Sequence, residues 1–210
     1  MRISTRGRVL LVSAFLLAGS AVWSQQNQKP ATPLAVAAAT TDVAFTFGTE
    51  RSEVIPSQCC FWFKGGGVDA VETFWKGIGI AASVTTNTAS NVTPDVDVKM
   101  YSYKAGPRYT WTGGGTNRPR YQIFAEGLFG GVHAIDGVYP SSSGPASTAN
   151  AFSLQTGAGV NVFLTPRFSL RLIQAEYVRT DLPNGAGNDQ NDLRLSFGVV
   201  FHHVGLRHRK

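Results

Sequence analysis

Enzymatic chemistry needs a nucleophile, a base or a metal-binding cluster at workable spacing, and this 210-residue chain offers few such groups in useful arrangements. His133 is the only histidine before the C-terminal stretch, and Ile135, not a serine, stands at same-face spacing from it. Ser153, Ser169 and Ser196 have no histidine at a neighbouring position on their own segments. A serine hydroxyl without an adjacent base is a weak nucleophile, so no catalytic residue is expected. The runs GGGVDA and GGGTNR lack the Lys-Ser/Thr ending and the following helix of a phosphate-binding loop. Cys59 and Cys60 are adjacent, able to bridge only through a strained eight-membered ring or to another chain, and they fall short of the four ligands zinc takes. They read as loop thiols on the outer side. His202, His203 and His208 lie in a basic stretch and read as a solvated tail. The expectation is therefore no metal and no cofactor.

What remains is a set of isolated charges, Glu50, Lys104, Arg108, Glu126, Arg171, Glu176 and Arg194, each embedded in a segment otherwise rich in glycine, serine, alanine and apolar residues. Their setting follows from the composition. Apolar residues make up 43% of the chain and charged residues only 15%, against about 25% in a typical soluble domain. The net charge of +6 resembles a nucleic-acid signal until it is mapped. Arg2, Arg6, Arg8, Arg207, Arg209 and Lys210 sit at the chain ends, and the remaining basic residues balance the 13 acidic ones. No basic face is left to follow a phosphate backbone, which argues against nucleic acid as a partner.

MRISTRGR followed by the apolar run VLLVSAFLLAGSAVW has the build of a secretory signal peptide, assigned to residues 1–24 and ending on Ser24. Residues 25–40 read as a flexible linker, 41–203 as the folded body and 204–210 as a basic tail. No other run reaches the ~20 apolar residues of a spanning helix.

From residue 41 the hydrophobic period is two, which defines strands. Eight segments follow, at 41–51, 61–74, 77–88, 98–111, 121–133, 150–164, 167–180 and 192–202. The last is the clearest, with Leu193, Leu195, Phe197, Val199 and Phe201 alternating with Asp192, Arg194, Ser196, Gly198 and Val200. Connections at 74–76 and 164–166 are tight and the one at 113–120 is moderate, whereas those at 90–97, 135–148 and 182–190 are longer and rich in Pro, Gly, Ser and Asn. Long loops at one end and short turns at the other define an up-and-down antiparallel barrel of the outer-membrane kind.

The same eight strands would fit a soluble ligand-binding barrel, so the orientation of the two faces decides. One face is apolar and aromatic, while the other combines small residues with the seven charges. An eight-stranded barrel has an interior just wide enough to be filled by side chains, so glycines beside a few long charged residues suit its lumen. Trp75, Trp111, Tyr121 and Phe168 fall beside the short turns, and Tyr101, Tyr103 and Tyr177 nearer the long loops, as an aromatic girdle at each interface requires. Two local irregularities are expected. Pro107 should distort its strand around Gly106, because it lacks a ladder donor. In RFSLRLIQAEYVRT strict alternation would send Gln174 and Glu176 into lipid, so a bulge near Ile173 is expected to return them to the lumen and Tyr177 to the girdle.

YSYKAGPRYTW at 101–111, YQIFAEGLFGGVHA at 121–134, FSLQTGAGVNVFLTPRFSLRLIQAEYVRT from Phe152 and NDLRLSFGVVFHH from Asn191 resemble the outer-membrane β-barrel domain family of small OmpA-like porins and opacity-type proteins. The resemblance implies an eight-stranded barrel with a charged plug and no catalytic residue. The chain continues beyond Phe201 as HHVGLRHRK, where such barrels end on an aromatic residue.

The expected protein is thus an all-β, eight-stranded antiparallel transmembrane barrel in the outer membrane, a monomer in contact with outer-membrane lipid. Its role would be structural, or one of surface interaction in which long loops meet an extracellular ligand. A narrow porin and an outer-membrane lipid-modifying enzyme are the alternatives. With four basic groups against three acidic ones, any leak through the lumen should prefer anions.

Overall fold

The computed structural model describes residues 40–52, 61–93, 96–115, 118–183 and 188–204. The leader, most of the linker, Cys59, Cys60 and residues 205–210 lie outside the described residues. Eight strands follow one another: β1 (Thr40–Ser52), β2 (Phe61–Trp75), β3 (Ile78–Thr93), β4 (Val96–Gly115), β5 (Arg118–Tyr139), β6 (Ala146–Phe163), β7 (Phe168–Thr180) and β8 (Gln190–Val204). Each pairs antiparallel with the next, and β1 pairs with β8, so the sheet closes on itself. Closure removes the unpaired edges that an open sheet would expose. No helix among the described residues is long and apolar enough to cross a membrane.

Alternation sorts the side chains as the period of two dictates. Phe45, Phe47, Val84, Tyr103, Phe129, Leu195 and Phe197 face outward and are exposed. Ser83, Thr85, Ser102, Gln155, Ser169 and Ser196 face inward and are buried. An exterior more apolar than the interior is the inversion that a barrel solvated by lipid requires. One tight connection carries the backbone signs of a close turn. Lys76 and Gly77 both have positive φ between β2 and β3, where a left-handed turn suits the strand twist.

Two features depart from the sequence expectations. The connection expected at 90–97 is mostly strand, since β3 runs to Thr93 and β4 begins at Val96. Likewise β5 continues to Tyr139 and β6 starts at Ala146, leaving residues 140–145 as the turn between them. At 20, 22 and 18 residues, β4, β5 and β6 far exceed the ~9–11 that a tilted strand needs to cross a bilayer, so they form hairpins standing beyond it. Around Pro107 the β4–β5 pairing lapses at residues 106 and 107 but resumes at Arg108↔Glu126 in the same register. The expected local distortion at Gly106 and Pro107 is therefore present as a gap in the ladder, without a register shift.

The bulge in β7 is present. Val160 pairs with Ile173 but Asn161 with Arg171, and on the other side Arg171 and Gln174 flank a two-residue span that opposes only Phe197 of β8. Leu172 and Ile173 consequently both face outward. The extra residue resets the alternation, so Gln174 and Glu176 turn into the barrel beside Arg171.

Candidate functional site

The lumen is where the charged side chains converge. Glu50, Lys104, Arg108, Glu126, Arg171, Glu176 and Arg194 all point inward and none is more than 9% exposed. β1, β4, β5, β7 and β8 each supply at least one, and the network that joins them runs through the barrel interior. Arg171 stands at the centre. Its Nη1 donates to Asp69 Oδ2 of β2 and to Gln174 Oε1, both at 2.5 Å, and its Nε donates to Asn161 Oδ1 at 3.2 Å. Gln174 Nε2 in turn donates to Glu126 Oε1 at 3.0 Å and to Glu176 Oε1 at 2.7 Å. Glu126 pairs with Arg108 Nη1 at 3.4 Å, and Glu176 lies 3.7 Å from Arg194 Nε. Lys104 Nζ donates to Gln155 Oε1 at 2.6 Å, and Gln155 donates onward to Glu176. Six of the seven charges are therefore one connected network. Glu50 accepts from Asn87 Nδ2 at 2.7 Å and lies directly across the β1–β8 seam from Arg194.

Packing holds this network in place. The Phe124 ring points inward and lies between two guanidiniums, 3.4 Å from Arg108 Cζ and 4.8 Å from that of Arg171. Cations over an aromatic face are attracted by its quadrupole, most strongly when desolvated. Gly159 of β6 makes room for that ring, since a Cβ there would come within 2.5 Å of it. The inward face is thus less purely polar than expected. Phe124, Leu128, Val71 and Val132 are buried inside alongside the charges.

Side chains also pack toward both ends of the lumen. Toward the hairpins, Phe63, Ala89, Met100, Val132, Ala134, Tyr139, Ala149 and Leu182 form one buried apolar cluster across the lumen. At the short-turn end, Asp42 Oδ1 and Ser169 Oγ lie 2.8 Å from Nδ1 and Nε2 of the same imidazole, His202. His202 belongs to β8, and its ring stacks on Phe163 at 4.6 Å, so it is no part of a solvated tail. The order Ser, His, Asp is that of a catalytic triad. Access is missing. Ser169 has no exposed surface. The three residues tie β1, β7 and β8 together where the barrel closes.

Sequence reasoning missed Asp69, Asp42 and His202. Alternation backwards from Val71 would have put Asp69 inside, but the three glycines at 65–67 blur the pattern of that strand. Asp42, Asp69 and Asp192 are buried as well, so the interior sets six acidic groups against four basic ones. The expected anion preference loses its basis.

The outward aromatics occupy two levels. Trp75, Trp111, Tyr121 and Phe168 lie near the short turns, with Trp111 edge-on to Tyr121 at 5.6 Å and Phe168 edge-on to Phe201 at 4.8 Å. Tyr101, Tyr103 and Tyr177 lie outward on the halves of β4 and β7 nearer the hairpins. Between these levels the surface is almost wholly apolar. Fold and surface together define an integral outer-membrane β-barrel protein.

Solved structures share this fold. Neisserial surface protein A aligns with a TM-score of 0.58 at 17% identity, over 80% of this chain and 98% of its own. Ail of Yersinia pestis aligns at 0.49 and 16% identity, over 80% of this chain and 100% of its own. The N-terminal barrel domain of Pseudomonas aeruginosa OprF aligns at 0.40 and 16% identity, over 79% and 97%. No protein-family model matches the chain, and no curated protein matches it in sequence.

Proposed function

We propose that this outer-membrane barrel is a closed anchor rather than a pore or an enzyme, and that its working surface is the set of hairpins standing beyond the bilayer. The observation that carries this reading is the buried lumen network centred on Arg171, which fills the cross-section with paired side chains. A water-filled channel would leave such groups exposed and screened. The hairpin end, by contrast, carries ion pairs in solvent, Lys99 with Asp136 at 3.0 Å and Arg179 with Asp189 at 2.7 Å. An extracellular ligand would meet these residues, not the lumen.

Vesicles containing the refolded protein test the closed lumen. They should retain a small sugar as well as protein-free vesicles do, and release that grows with the amount of protein would favour the narrow porin. Replacing residues 140–145 with a short Gly-Ser turn should leave barrel folding unchanged, as a working surface separable from its anchor requires.

A further inference from the structure

The outward face of β2 breaks the rule of its own belt. Trp62, Lys64, Gly66, Val68 and Ala70 point outward in succession, so Lys64 stands on the lipid-facing side of β2 beside the level of Tyr101, one outward step, about 7 Å of strand, from Trp62. An ammonium facing lipid needs an anion or a route to water. No carboxylate among the described residues pairs with it. Its cross-strand neighbours on the same face are hydroxyls instead, Thr49 of β1 and Thr88 of β3 directly opposite.

One groove in the outer surface reaches this spot and a second lies beside it. The first, of about 530 Å³, reaches Lys64 and Thr49 and is walled by Phe47, Phe197, Leu172 and Ile173. It owes its far wall to the β7 bulge, which turns both Leu172 and Ile173 outward. The second, of about 410 Å³, runs over Gly66 between Phe47 and Val84. Phe47 stands between the two.

We propose that Lys64, with the hydroxyls of Thr49 and Thr88, binds the anionic phosphate headgroup of one membrane lipid whose acyl chains lie in the grooves on either side of Phe47. The ammonium offers three donors and each threonine hydroxyl one more, which suits the oxygens of a phosphate. The apolar grooves beneath the cation suit the chains of a lipid and give a free phosphate ion nothing to hold. The proposal rests on the membrane reading of the outward face.

Native mass spectrometry tests it, with the folded protein released from detergent micelles holding equimolar phosphatidylglycerol and phosphatidylcholine of identical chains. The wild type should retain one phosphatidylglycerol in preference to phosphatidylcholine. Lys64→Gln should reduce that preference roughly tenfold, the scale of one hydrogen bond to a charged group. Lys64→Arg should restore most of it, and Arg179→Ala, at an arginine already paired with Asp189 and lining neither groove, should leave it intact. Equal retention of both lipids by the wild type, an unchanged preference in Lys64→Gln, or displacement of the lipid by millimolar inorganic phosphate would each overturn the proposal. A folded band on an unboiled gel of the same sample shows the barrel intact, so a lost preference then counts against the lipid site and not against the membrane reading.

Discussion

Glu126 accepts from two directions, Arg108 at 3.4 Å and Gln174 at 3.0 Å, so truncating it strands a guanidinium and an amide in a dry interior. Glu126→Ala should cost ~3–5 kcal/mol, read as a lowered urea midpoint. Lys99→Ala breaks a pair whose side chains are 45% and 53% exposed and should cost at most ~1 kcal/mol. Equal losses would mean that water screens the lumen. His202→Ala should cost ~1–3 kcal/mol by leaving Asp42 and Ser169 without their shared partner, with faster amide exchange confined to the short-turn ends of β1 and β8. Turnover of a nitrophenyl ester by the wild type but not by Ser169→Ala would instead make the triad a working one. At this scale seven of the charged members of the lumen were legible, Asp42 and Asp69 being missed, because a charge on the small-residue face of an alternating strand has nowhere else to point. Of the neutral partners only Gln174 was, through the bulge. Gln122, Gln155, Asn87 and Asn161 become informative only once the register brings them to a charge or to each other, as Gln122 is brought to Asn161 at 2.7 Å.

The β7 bulge decides whether two of those partners are inside at all. Deleting Ile173 removes the extra residue and leaves Gln174, Glu176 and Val178 facing inward, whereas inserting one alanine after Ile173 would turn them outward, because a one-residue slip moves every later side chain to the opposite face. The insertion should give no folded band on an unboiled gel, whereas the deletion and Ile173→Ala should both fold. If the insertion folds with a wild-type urea midpoint, the residue count at the bulge does not set the register. The bulge could be read from sequence because it rescues a conflict, two polar groups aimed at lipid. The hairpin extensions could not. The polar, glycine- and serine-rich stretches at 90–97 and 135–148 carry loop chemistry, yet their backbones keep pairing, and ladder hydrogen bonds leave no mark in side-chain pattern. Tyr139 still pairs with Ala146 far past the last membrane-length residue.

Closure of the whole barrel joins these pieces: a tied seam at the short-turn end, a charge network in the middle and an apolar cluster toward the hairpins. Removing one charge from this arrangement should open it. With Asp42, Asp69 and Asp192 counted, the lumen holds six acidic groups and four basic ones, so removing Glu126 leaves five against four and a leak in Glu126→Ala should not favour anions. The most direct test is planar-bilayer conductance of the refolded wild type beside Glu126→Ala. A closed lumen predicts little or no steady current for the wild type and measurable openings for the variant. A large, steady wild-type conductance that Glu126→Ala leaves unchanged would show that the lumen is an open channel and would contradict the account.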